Sequence, residues 1–152
     1  MVLSHATGFA PEAAERFYRA LYASLLHPEL PTSAKQALFL NVLYKSMRAD
    51  SNTARTAAFA KRLLQACAHA PPSFACGALL LVSTVAQSVP SLRVLLTKPA
   101  AAPAAAPAAA PAAYDWSKRE PAYSGAEGSR LWELTHLLGH YHPSVVQVTF
   151  FL

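Results

Sequence analysis

The chain has only two cysteines in 152 residues, Cys67 and Cys76, and neither stands in a CxxC pair. That excludes a disulfide framework, and both thiols are expected to be reduced, small and buried in an intracellular protein. Glycine is scarce as well. Its five copies form neither a phosphate-cradling loop nor a GxSxG nucleophile elbow. The eight acids are scattered, with no carboxylates paired at catalytic spacing. Enzyme activity, a cofactor and a small-molecule substrate are therefore not expected. No basic stretch followed by an apolar one opens the chain at MVLSHATGFAPEAAERF, so no secretory signal is expected. The uncharged run from Phe74 to Val89 is shorter than the roughly 20 residues of a membrane span and carries Ser83, Thr84, Gln87 and Ser88. It reads as a buried helix, and no membrane association is expected.

Apolar residues make up 53% of the chain, but every residue from Ala100 to Ala113 is Ala or Pro. The foldable chain is accordingly two pieces: a helical part over 1–97 and a C-terminal part over 114–152, separated by an Ala/Pro-rich linker over 98–113. Pro99, Pro103, Pro107 and Pro111 recur every fourth residue. A polyproline II spacer with a rise of about 3.1 Å per residue would reach roughly 45 Å from Pro99 to Ala113.

The first piece reads as five helices joined by short, proline-marked turns. Pro11 suits a first helical turn, with Glu12 and Glu15 against the positive end of the dipole. Phe17, Leu21 and Leu25, with Tyr18 and Tyr22 beside them, recur at helical spacing until HPELP at His27–Pro31. A second helix is expected from a Thr32 or Ser33 cap to about Arg48. Its middle, ALFLNVLY, is apolar almost all round, so neighbours should cover more than one side. Ser51 or Asn52 caps a third helix running to about His69. APPS at Ala70–Ser73 is a break, with Ser73 capping a central helix that Pro90 ends, and SLRVLLT adds at most two turns. In the second piece Tyr114–Ser129 lacks periodicity and should lie as an ordered, irregular segment on another surface. Leu131–Leu138 is a short helix with Leu131, Leu134, Leu137 and Leu138 on its apolar side. Pro143 opens a last helix.

Charge is one-sided, with thirteen Lys and Arg giving a net +5. Lys45, Arg48, Arg55, Lys61 and Arg62 meet only Asp50 within their span. Arg55, Arg62 and His69 share a helical face, as do Asn41, Lys45 and Arg48. Such a stripe is an ordinary solvated face or an anion-binding one. The shortage of acids favours binding, and the lack of interleaved aromatics favours phosphate contact over base readout. Glu133, His136 and His140 fall on one helical face that could converge on a metal, but no cysteine pair or HExxH pattern accompanies them and no metal is expected.

The stretches SAKQALFLNVLYKSMRAD, AFAKRLLQ, KREPAYSGAEGSRLWEL and YHPSV together resemble the CCAAT-binding-factor (CBF) domain family of the CCAAT/enhancer-binding-protein zeta and nucleolar-complex type. The resemblance implies an all-α, HEAT/armadillo-like α-solenoid of antiparallel helices and a location in the nucleus and nucleolus. It also implies a nucleolar-complex partner protein in a heterodimer, association with large (60S) subunit precursors and their rRNA, and no catalysis. It departs from the family at His27, Trp116 and Gly125 and in its neutral rather than acidic insertion. The family's CCAAT name suggests the alternative of a DNA-binding transcriptional regulator, although no helix-turn-helix, zinc finger or basic zipper is recognisable. The signature residues of the second piece are Tyr114, Asp115, Lys118, Arg119, Glu120, Tyr123, Glu127, Trp132, Glu133, His142 and Pro143. They read as a docking or structural set. Trp132 is expected to bury against the first piece and hold the irregular segment there, whereas an exposed Trp132 would point to a partner chain.

Overall fold

The computed structural model describes residues 11–97 and 114–152; residues 98–113, with the expected spacer, and residues 1–10 lie outside the described residues. Seven α-helices and no strands are found among them: α1 (Pro11–Ser24), α2 (Gln36–Ala49), α3 (Thr53–Cys67), α4 (Pro72–Ser88), α5 (Pro90–Thr97), α6 (Glu133–Leu138) and α7 (Pro143–Phe150). Short 3-10 turns lie at Leu30–Thr32, Pro121–Tyr123 and Ala126–Gly128. This is the all-α architecture expected. Among the described residues no helix is long and apolar enough to cross a membrane.

Helix α4 is the centre, packing against α2, α3, α5 and α7. Its lack of charge has this cause, since Phe74, Ala75, Ala78, Leu79, Val82 and Val85 are all buried. Gly77 lets α2 close in, because a Cβ there would stand 3.0 Å from Leu40 Cδ1. Helix α1 is joined to α2 and α3 through aromatics. Tyr22 meets Phe59 edge-on at 5.3 Å between centroids, and the Tyr18 hydroxyl donates to the Ser46 carbonyl at 3.3 Å.

Several local expectations shift. Phe17 is exposed rather than part of the core. The second helix begins at Gln36, because Leu30–Thr32 first forms a 3-10 turn and Ser33 Oγ accepts from the Lys35 N–H instead of capping a helix. Asn52 does cap α3, its Oδ1 accepting from the Arg55 N–H at 3.1 Å. Ser73 does not cap α4: Pro72 occupies the first helical turn, where its missing N–H costs nothing, so the break falls one residue earlier. Helix α2 is covered on one side only, with Leu43 and Met47 buried while Leu38 and Val42 are exposed. Cys67 is buried and Cys76 half-buried, both as free thiols, and burial pushes the Cys67 thiol up to about 12, which leaves it inert.

Candidate functional site

Helix α3 organises the second half of the chain. From Thr56 to Leu64 every side chain is buried, Lys61 and Arg62 included. The 3-10 turns at Pro121–Tyr123 and Ala126–Gly128 and helix α6 all pack on it. Its two interior cations face this second piece, and each makes a distinct junction.

Lys61 is fully buried. Its Nζ donates to the Arg130 carbonyl at 2.6 Å and to Glu133 Oε2 at 3.1 Å, with Glu133 Oε1 at 3.0 Å. Glu133 is itself 3% exposed, and Gln65 Nε2 donates to its Oε1 at 2.8 Å. The Tyr114 hydroxyl then donates to Gln65 Oε1 at 3.4 Å. Burial lowers the Lys61 pKa from its ordinary range, and the Glu133 carboxylate opposes that shift. The ammonium also faces the rings of Tyr114 and Trp132, 5.0 and 5.3 Å from their centroids. An ion pair this dry gains little net stability over an apolar pair, but leaving either charge alone is costly, so it fixes which turn of α6 sits over α3.

Arg62 clamps the irregular segment. Its guanidinium stacks on the Tyr22 ring at 3.3 Å from the centroid, and Nη1 donates to the Tyr22 carbonyl at 3.1 Å. Nη2 donates to the carbonyls of Trp116 at 2.7 Å and Lys118 at 3.3 Å. The planar fork reaches the α1 carbonyl with one nitrogen and two carbonyls of the irregular segment with the other, a task a lysine point charge would do poorly. The Asp115 N–H donates to the Ser124 carbonyl at 2.8 Å and closes the loop that Arg62 fills. Asp115 Oδ1 accepts from the N–H and hydroxyl of Ser117, and these bonds hold its carboxyl below the usual range. Gly125 follows the closure at φ 73°, the left-handed region that favours glycine.

The sequence stripe is thereby divided. Lys61 and Arg62 do not lie on a solvated face; they are interior groups committed to Glu133 and to carbonyls. Arg55 is committed too, its Nε and Nη2 donating to Asp50 Oδ2 and Oδ1 at 2.5 and 2.7 Å while its guanidinium lies 4.0 Å from the Tyr18 ring centroid. Those bonds raise the Arg55 pKa. Lys45 and Arg48 alone of the five are exposed, on the outer side of α2 with Asn41, Leu38 and Val42. Arg48 Nη1 donates to the Tyr44 hydroxyl at 2.9 Å, and neither cation has an ion pair among the described residues.

Trp132 also differs from its expectation. It is 51% exposed and is not the buried anchor; Glu133, the next residue, is. An indole over an ammonium keeps one face in contact and the other open. With Gln65, His69, His136, His140 and Tyr141 it lines an open cleft of about 570 Å³ between α3 and α6. His136 meets Trp132 edge-on at 5.3 Å, His140 Nδ1 accepts from the His142 N–H, and His142 Nδ1 caps α7 by accepting from the Ser144 N–H at 3.2 Å, with Pro143 at the first position. Among the described residues no group of three His, Cys, Asp or Glu is placed to hold a metal. Lys118 lies 4.0 Å from Asp115, Arg119 and Tyr123 are exposed, and Glu120 pairs with Arg19 of α1.

Sequence reasoning missed both junctions because their partners in the second piece are 54 to 72 residues away. One signal was available: Lys61 and Arg62 interrupt AAFA and LL, an otherwise apolar run wide enough to be buried on every side.

The profile of the CBF/Mak21 family matches residues 2–149. Ribosome biogenesis protein NOC1 of Chaetomium thermophilum is 43% identical to this chain, over 88% of the chain and 15% of that protein. Human CCAAT/enhancer-binding protein zeta is 33% identical over 86% of the chain and 18% of its own length. The human nucleolar complex protein 4 homolog is 35% identical over 85% and 24%, respectively. The chain thus spans less than a quarter of the length of these relatives. With a profile match over nearly its whole length, it belongs to the CBF/Mak21 family.

Proposed function

We propose that this chain is a non-catalytic helical scaffold module of ribosome biogenesis in the nucleolus. It acts on precursors of the large subunit, together with a nucleolar-complex partner protein in a heterodimer. The names of its relatives, a ribosome biogenesis protein and a nucleolar complex protein, support this reading. The observation that carries it furthest is the use of the chain's best-placed ionisable groups. Lys61, Glu133 and Arg62 join two pieces of the fold, leaving surfaces rather than a reactive centre for function. Lys45 and Arg48, exposed and without ion pairs among the described residues, contact the phosphates of pre-ribosomal RNA.

The test is gradient sedimentation of the tagged chain in nuclear extract. Migration with large-subunit precursors is the expected result. A chain that stays at the top of the gradient and is enriched on promoter chromatin would replace this reading with the CCAAT-box regulator suggested by the zeta relative's name.

A further inference from the structure

The irregular segment carries an exposed set that the scaffold reading does not use. Trp116 is 68% and Tyr123 79% exposed, an uncommon state for rings that bury well. Lys118 and Arg119 are exposed between them in sequence. The loop that presents all four is fixed from inside. The Asp115 N–H to Ser124 carbonyl bond joins its two ends, which brings the backbones of Trp116 and Tyr123 next to the closure and leaves Lys118 and Arg119 toward the tip. Arg62 holds the Trp116 and Lys118 carbonyls from the buried side. Presenting these side chains therefore requires no ordering of the backbone on binding.

The charge of the loop is also sorted. Asp115 is engaged by Ser117 and stands beside Lys118, and Glu120 is engaged by Arg19. Glu127 lies beyond the closure. Arg119 has no ion pair among the described residues, and the ammonium of Lys118 is 4.0 Å from its nearest carboxylate. Exposed flat rings beside exposed cations complement a ligand with flat faces and negative charge. A protein surface of opposite charge would use the cations and could bury the rings, and its binding is an outcome of the test below. A duplex would use the cations but keeps its bases stacked away from the rings. Unpaired RNA uses both.

We propose that the loop 115–124 binds unpaired RNA, with bases stacking on Trp116 and Tyr123 and phosphates held by Lys118 and Arg119. The inference rests on the RNA contact proposed above and adds to it a second site with a different physical basis: α2 offers charge alone, the loop offers charge and stacking.

The experiment measures binding of the 152-residue chain to a labelled twelve-nucleotide single-stranded RNA and to a duplex of equal length, across a salt series. Trp116→Leu with Tyr123→Leu should weaken single-strand binding by roughly 5- to 150-fold per stacked base, leave duplex binding unchanged and leave the salt slope unchanged. Trp116→Phe with Tyr123→Phe should restore most of the loss. Lys118→Glu with Arg119→Glu should instead reduce the slope by about 1.4, at about 0.7 per single-strand phosphate contact. All four positions are exposed, so thermal melting should not move. Parental affinity in the leucine variant overturns the stacking site. If Lys45→Glu with Arg48→Glu still weakens binding in that case, the α2 contact survives. No RNA binding by the parent overturns both proposals, and loss of partner-protein binding with RNA affinity intact identifies the loop as a protein surface and overturns this one.

Discussion

Replacing Glu133 by Gln is the most informative single perturbation of this fold. Lys61 is 0% exposed, and after the change its ammonium keeps the Arg130 carbonyl but loses the only carboxylate it reaches among the described residues. Breaking a buried ion pair on one side costs about 3–5 kcal/mol, because the remaining charge is left uncompensated. At about 2–4 °C per kcal/mol for a chain of this size, the melting temperature should fall by about 6–20 °C. The penalty should also depend on pH. Burial already holds the folded Lys61 pKa below its unfolded value, and losing Glu133 lowers it further. Between the folded value and about 10.4 the unfolded chain binds more protons, so stability rises with pH over that window. The Glu133→Gln variant should accordingly recover part of its loss as pH is raised toward 10. Lys61→Met combined with Glu133→Leu, which removes both charges, should be close to the parent at neutral pH. The assay is thermal and urea unfolding of four proteins, the parent, Glu133→Gln, Lys61→Met and the double variant, at pH 7 and pH 9.5. A Glu133→Gln loss under 1 kcal/mol, or a double variant as unstable as the worse single one, would refute the junction.

Arg62→Met should cost at least about 3 kcal/mol, since three charge-assisted bonds to carbonyls are lost, and hydrogen exchange should rise first at Trp116 to Lys118. Asn52→Ala removes the cap of α3 and should cost about 1 kcal/mol in urea unfolding, with the helical signal otherwise intact. Gly125→Ala places a Cβ in the left-handed region and should cost about 1–2 kcal/mol, with faster proteolysis of the segment after Tyr114 as a second readout.

The helices themselves were legible because local chemistry determines them. Asn52 is a cap wherever a helix follows, prolines at 71, 72, 90 and 143 punctuate, and the uncharged run beginning at Phe74 had to be the centre. The division of the cations was not legible. Arg55, Lys61 and Arg62 look alike as a basic stripe, and their fates depend on Asp50, Glu133 and the carbonyls of Trp116 and Lys118. The latter two partners are supplied by chain folding, not by spacing. Trp132 illustrates the same limit: an aromatic at the edge of an apolar face suggests an anchor, but here the anchor is the neighbouring carboxylate, because a buried lysine needed it.

Interior cations hold the two pieces together, whereas the surface cations Lys45 and Arg48 are the ones proposed to bind RNA. Affinity for RNA against salt, measured for two double variants, tests this directly. Lys45→Glu with Arg48→Glu should reduce the slope by about 1.4–1.8, two contacts at about 0.7–0.9 each, without moving the melting temperature. Lys61→Met with Glu133→Leu should leave both affinity and slope at parental values. A reduced slope in the second variant and an unchanged one in the first would contradict the account.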